Sequence, residues 1–417
     1  MLGAIIGDVV GSIYEFDNTK NYHFKMFTAD SNYTDDTVLT VAVADWAMGD
    51  ASCSQARLEE KLLQYGNKYP NPVGGYGEAF NSWLFYPEYL IDYRTGKPFG
   101  KRCPYNSWGN GSAMRVSSIG WLFDTLEETE RVAGISAAIT HNHPEGIKGA
   151  QATAAAIFMA RNGAKKEDIR IYVEKRFGYD LSDSWEHLHE TYGWDSSCQG
   201  TVPQALIAFL ESEDFESAVR MAVSMGGDSD TLACITGGVA EAYYQDIPAE
   251  MVDKVMALLP PDLLEVLDRL GEGTYAECYH KYVHRATSSR EYTPDRITDL
   301  KENEIFVFGS NMAGFHAGGA ARLAFDQFGA EWGVGVGMTG QCYAIPTMQG
   351  PIETIEPYVN DFIVYAKAHP QYKFYVTRIG CGIAGFTEEE IAPLFKDAVS
   401  VANIILPETF WPIITAL

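Results

Sequence analysis

No stretch of this 417-residue chain approaches the roughly 20 uninterrupted apolar residues of a membrane-spanning helix. Positive charge is also scarce: 31 Lys and Arg stand against 56 Asp and Glu, a formal net charge of -25. Such a field repels nucleic-acid backbones and anionic lipid surfaces, which argues against a general binder of either. It leaves room for a local pocket that takes one phosphorylated ligand. Cysteine is sparse and scattered: Cys53, Cys103, Cys198, Cys234, Cys278, Cys342 and Cys381 include no CxxC pair. An odd, dispersed set reads as reduced thiols, not as a disulfide framework or a zinc site. The apolar opening MLGAIIGDVVGSIYEF has no basic flank and carries Asp8 and Glu15, a poor match to a secretory signal. A cytoplasmic location is therefore expected. There is no internal repeat and no low-complexity tract, and the glycine-rich segment Val307–Gly329 meets no Walker or GxGxxG fingerprint.

What is present fits a folded, soluble protein. Hydrophobic residues make up 46% and charged residues 21%, and the length favours two or three domains. Up to about Arg285 the texture is helical and rich in Ala and Gly, as in Thr37–Gly49, Gly146–Gly163 and Thr231–Tyr244. Gln55–Tyr65 and Glu250–Leu259 add amphipathic helices. Small residues on helix surfaces permit close backbone approach, so an all-α domain is expected over residues 1–285. The polar run RATSSREYTPDRITDLKEN reads as a linker over 286–303. Beyond it, EIFVFGSN and KFYVTRIGCG read as buried strands entering glycine turns, with AARLAFDQFG as a helix between them. Strands alternating with helices predict a small α/β domain over 304–417.

Three acidic stretches carry the chemistry of the first domain: GDVVGSIYE (Gly7–Glu15), YTDDT (Tyr33–Thr37) and GDSDT (Gly227–Thr231). The last two place clustered Asp with Thr where an apolar helix starts. Hard divalent cations take oxygen ligands, which Asp carboxylates and Thr hydroxyls supply. Two such helix starts, facing each other, would hold two ions roughly 3.5–4 Å apart. Each cluster alone also fits an N-cap with acidic first-turn residues. Asp8 also fits a buried, hydrogen-bonded carboxylate, and Glu15 a capping or surface one.

The set GDxxGxxxE, TDDT and GDSDT, in that order, resembles the ADP-ribosylglycohydrolase family over about residues 1–285. The resemblance implies an all-α fold and two Mg²⁺ or Mn²⁺ ions. Carried over by position, the metal ligands would be Thr34, Asp35, Asp36, Asp228, Asp230 and Thr231. Glu15 falls on the motif glutamate near the scissile bond, and catalysis would depend on Glu15 and Asp36. WGNGSAMR (Trp108–Arg115) resembles the family's phosphate loop: free backbone N–H groups at Gly109, Asn110, Gly111 and Ser112 would suit a diphosphate, and Asn110, Gly111 and Ser112 would bind substrate. THNHPEG (Thr140–Gly146) resembles the segment whose histidine lines the pocket; His143 is the choice, with His141 as the alternative. Glycosidic cleavage at ribose passes through an oxocarbenium-like state, which needs orientation and charge management more than a strong nucleophile. Glu15 would serve as general base or as an acid beside the leaving group.

In the second domain, SN…GGAA and RIGCGIAG together resemble a macrodomain, a fold that binds ADP-ribose. By that resemblance Asn311 would contact the distal ribose, and Gly318, Gly319, Gly382, Ile383 and Ala384 the phosphates. Glycine turns of this kind also occur as ordinary tight turns. The expectation is thus a multidomain protein: an all-α ADP-ribosylglycohydrolase-like domain, then a small α/β macrodomain-like domain. Its expected function is metal-dependent release of ADP-ribose from an ADP-ribosylated substrate, with ADP-ribose as the shared ligand. The neighbouring readings are hydrolysis of a free ADP-ribose-type nucleotide and a non-catalytic ADP-ribose sensor. A pure reader has no need of a carboxylate at Glu15.

Overall fold

Every residue of the Leu2–Gly11 helix is buried, and so is Ser229–Ala242 within the Ser229–Tyr244 helix. Their small residues explain this. A methyl group added at Gly7 would lie 2.0 Å from the Ala233 carbonyl oxygen, so the two backbones touch directly. Added at Gly11 it would lie 2.4 Å from Asp230 Cα, which seats the end of one helix beside the start of the other. This pair is the centre of the first unit. Helices Asp35–Gly49, Pro144–Arg161, Cys198–Glu211 and Phe215–Ser224 pack around it.

The computed structural model describes residues 1–92, 95–399 and 401–415. Two compact units divide the chain, Met1–Ser288 and Ser289–Leu417. Among its described residues the first carries helices and one two-residue antiparallel strand pair, Ile91–Asp92 with Lys97–Pro98, besides isolated bridges such as Thr34 with Val73. The expected helices start slightly earlier than their apolar patterns, at Asp35, Pro144 and Ser229, because capping and first-turn residues are polar. The Ala276–Ser289 helix runs into the polar stretch expected as a linker. Further along that stretch, Thr293 donates its N–H to the Leu406 carbonyl at 2.9 Å and its hydroxyl to the Ile405 carbonyl at 2.7 Å.

The second unit contains a five-stranded sheet in the order Gly337–Thr339, Cys342–Pro346, Glu304–Ser310, Lys373–Val376, Ile404–Ile405. Only the first pair is antiparallel. Alternation along the central strand covers both faces. Ile305 and Val307 join a core with Phe362 and Phe374, while Phe306 and Phe308 pack with Ala321 and Ala324. Among the described residues, no helix is long and apolar enough to cross a membrane.

Candidate active site

Asp8 explains how the second acidic motif is held. Its buried carboxylate accepts from Thr34 N (3.0 Å), Thr34 Oγ1 (2.8 Å) and Thr37 N (3.0 Å), and from the Thr37 hydroxyl. Burial pushes Asp8 up to about 6 even so. The Thr34 hydroxyl in turn accepts from Asp36 N at 3.2 Å, a regular N-cap. Thr34 is thereby engaged on both sides and does not line the cavity, whereas Asp35 and Asp36 do.

That cavity, of about 460 Å³, also takes in Glu15, Asp228, Asp230 and Thr231. Glu15, Asp228 and Asp230 each offer a carboxylate oxygen, and the three lie within 4.8 Å of one another. Thr231 Oγ1 donates to Asp36 Oδ1 at 3.3 Å, tying the second motif to the third. Asp36 Oδ2 is buried with no hydrogen-bond partner among the described residues. Burial, then neighbouring carboxylates, holds Asp35, Asp36 and Asp230 well above the usual carboxylate range. Burial likewise lifts Glu15 to about 7, followed by the charges of Asp228 and Asp8. An all-oxygen set of crowded, buried carboxylates with one orphaned oxygen suits a hard divalent cation.

Asp228 stands at the N-cap of its helix but makes no side-chain capping bond. The N-cap reading that the third cluster also fits therefore does not hold for the Asp228 side chain: its Oδ2 instead accepts from Asn110 Nδ2 at 2.8 Å. Asn110 and Gly111 line the cavity; Ser112 is buried away from it, donating to the Gly146 carbonyl at 2.7 Å. Of the N–H groups expected to be free for phosphate, Gly109 donates to Ser107 Oγ (3.1 Å) and Asn110 to the Ser196 carbonyl (2.8 Å). His143 does not line the cavity. Its Nδ1 accepts from Glu145 N at 3.1 Å, capping the Pro144–Arg161 helix, and the histidine on the wall is His141. Burial, and then the Arg115 guanidinium, holds His141 well below the usual imidazole value, so its ring is neutral.

The wall also contains residues that sequence reasoning passed over. The Gly74–Phe80 segment, Tyr105, Arg115 and Trp194 all face the cavity. The glycine-rich run GGYGE was a usable signal for the first of these. Trp194 had none.

A family model described as ADP-ribosylglycohydrolase matches residues 1–281. The chain belongs to the ADP-ribosylglycohydrolase family. It is 25% identical over 313 residues to ADP-ribosylhydrolase ARH3 of Mus musculus, covering 58% of this chain and 82% of the relative. It is 24% identical over 278 residues to ADP-ribosylarginine hydrolase Tri1 of Pseudomonas putida (strain GB-1), covering 61% and 72%. A solved structure described as an ADP-ribosylglycohydrolase-related protein complex aligns with a TM-score of 0.46 and 23% identity, over 68% of this chain and 97% of that one. The chain is accordingly a glycosidase-type hydrolase.

The family match ends at residue 281, before the second unit begins. In that unit the Asn311 side chain closes its own loop, donating to the Phe315 carbonyl (2.8 Å) and accepting from Phe315 N (3.1 Å). The loops after the adjacent strands Glu304–Ser310 and Lys373–Val376 come together: a methyl on Gly318 would lie 3.3 Å from Ile383 Cδ1, and one on Gly319 3.9 Å. Gly382 lines a cavity of about 520 Å³ with Arg378, Cys381, Phe386, Thr387 and Glu388. Ala384 is half-buried between the exposed Ile383 and Gly385.

Proposed function

We propose that the helical unit hydrolyses the glycosidic bond between ADP-ribose and an acceptor, with two Mg²⁺ or Mn²⁺ ions held by Asp35, Asp36, Asp228, Asp230 and Thr231, while Thr34, whose hydroxyl is taken up by Asp8 and Asp36, holds the second motif in place. The observation that carries this reading is the meeting of Glu15, Asp228 and Asp230 oxygens within 4.8 Å on a cavity that Asp35 and Asp36 also line. Divalent ions, when bound, supply positive charge that orients ribose hydroxyls and acidifies a water. The chain's own residues do the rest. Asn110 fixes the Asp228 carboxylate, and Thr231 fixes that of Asp36. Glu15, half-buried beside them, is the group that takes or returns a proton at its carboxylate during cleavage. His141 enters neutral, able to donate or accept but carrying no charge.

We read the second unit as a macrodomain-like binder of ADP-ribose. Its support is the meeting of two glycine-rich loops at the carboxyl ends of neighbouring parallel strands, the usual ligand edge of such sheets.

The test is release of free ADP-ribose from arginine-, serine- and DNA-linked substrates, with Mg²⁺ or Mn²⁺, with EDTA, and in Asp36→Asn. Release that needs metal and disappears in Asp36→Asn supports the dimetal reading. Release surviving both would move the chemistry out of this cavity. Calorimetry with ADP-ribose on Asp36→Asn in EDTA isolates the second unit; a site abolished by Ile383→Glu supports the binder.

A further inference from the structure

The Glu15 carboxylate has a neighbour of an unusual kind. Gly74 and Gly75 both line the cavity, and both lie in the left-handed region, with φ of +76° and +81°. A Cβ placed on Gly74 would fall 2.7 Å from Glu15 Oε2, closer than real Cβ contacts allow; one placed on Gly75 would meet nothing within 4 Å. The turn carrying them is anchored. Gly75 N–H donates to the Pro72 carbonyl at 3.0 Å, and Val73 forms an isolated parallel bridge with Thr34, the residue that caps the helix bearing Asp35 and Asp36.

The backbone of the Glu15 segment is anchored as well. Asn18 Nδ2 donates to the carbonyls of Glu15 (3.0 Å) and Gly227 (2.9 Å), and Asn18 Oδ1 accepts from Gly227 N (2.8 Å). With both backbones tied, a side chain on residue 74 would displace the one flexible group between them, the Glu15 carboxylate. Resting on Glu15's place in the hydrolase proposed above, we propose that Gly74 is a positioning residue. Its absent side chain leaves the space in which the Glu15 carboxylate reaches Asp228 and Asp230. The Pro72–Gly77 loop thus sets where the carboxylate sits relative to the helix start to which Val73 is bridged.

Gly75 supplies the control. Ala at either position meets the same backbone strain, because both residues have positive φ, but only Ala at 74 meets Glu15. Gly74→Ala and Gly75→Ala are to be compared in the full chain by thermal melting, by calorimetric titration with Mn²⁺ alone, and by kcat and KM for release of ADP-ribose. Both melting temperatures should fall to a similar extent. Gly74→Ala alone should weaken Mn²⁺ binding and lower kcat, each about 10-fold or more, the range for groups that orient metal ligands. The double-mutant cycle is decisive: in a Glu15→Ala background, Gly74→Ala should leave Mn²⁺ affinity unchanged within about twofold. Equal losses in Gly74→Ala and Gly75→Ala, or an undiminished loss in the Glu15→Ala background, overturn the positioning role while leaving the hydrolase reading intact. Wild type that neither takes Mn²⁺ nor turns over substrate overturns that reading, and the positioning role with it.

Discussion

Asn110 donates its side-chain N–H to Asp228 Oδ2 at 2.8 Å and to Thr201 Oγ1 at 3.1 Å. The two motifs that look separate in sequence, WGNGSAMR and GDSDT, are therefore one structure. The bond stands where a capping bond would otherwise be, and it directs the Asp228 carboxylate toward Glu15 and Asp230. Asn110→Ala removes the donor without touching a carboxylate. Its expected effect is a loss of about 10–100-fold in divalent-metal affinity, as for other residues that orient metal ligands. Isothermal titration with Mn²⁺ measures it, and an unchanged affinity would show that Asp228 needs no such support.

The acidic cluster also makes stability depend on pH in a predictable direction when metal is withheld. Asp8 rises from 3.8 to about 6 and Glu15 from 4.5 to about 7, and Asp35, Asp36 and Asp230 shift the same way. A carboxyl with a raised folded-state value binds its proton more tightly in the native state. The stability it contributes is complete below the unfolded-state value and is lost as pH rises through the folded-state value. EDTA-treated protein should therefore lose stability as pH rises from about 4 to about 7. Metal at about 100 times its dissociation constant should restore about 2.7 kcal/mol at pH 7.5, and much less at pH 5, where protons compete for the ligands. Melting curves with EDTA and with Mn²⁺ across this range test both halves. A metal-free melting temperature that climbs steadily from pH 4 to pH 8 would contradict the first.

The helix pair beneath the site gives a stability prediction with its own control. Gly7→Ala places a methyl 2.0 Å from the Ala233 carbonyl oxygen, so the helices must separate. Overpacking of this kind costs about 1–3 kcal/mol, and it should also loosen the contact that seats Asp230. Gly49→Ala, at the end of the Asp35–Gly49 helix where an added Cβ meets nothing within 4 Å, should be neutral or stabilising by up to about 1 kcal/mol. Urea denaturation of the two variants separates close approach from helix propensity.

Much of this site was legible because its residues sit at helix starts, where a run of Asp and Thr before an apolar segment is a local signal. Asp35, Asp36, Asp228, Asp230 and Thr231 all reach the one cavity, and Glu15 joins them. Misplacements arose where local geometry was decided by a partner far along the chain. His143 and His141 differ by two residues, yet one caps a helix and the other faces the pocket. Ser112 turns inward to the Gly146 carbonyl, and the loop N–H groups of Gly109 and Asn110 already have protein acceptors. The need for glycine at position 74 in particular is not legible in the run GGYGE, because its reason is a contact with Glu15 across 59 positions.

Trp194 belongs to the same class of residue, and it leads to a last prediction. Its ring stacks on Phe16, centroids 6.0 Å apart and planes at 21°, at the cavity that holds Glu15. Both rings are largely exposed, Phe16 at 74% and Trp194 at 55%, so the stack adds little to the folded core. Its consequence lies in the segment that carries Glu15, since Phe16 is the next residue. An aromatic pair contributes about 0.5–1.5 kcal/mol beyond the area it buries, which corresponds to a factor of about 2–10 in an equilibrium. Trp194→Ala should therefore raise KM for an ADP-ribosylated substrate by about 2–10-fold while shifting the melting temperature by no more than about 2 °C. Trp194→Phe keeps a stacking face and should recover most of the loss. If Trp194→Ala instead unfolds the protein or leaves KM untouched, the stack is not what steadies the mouth of the site.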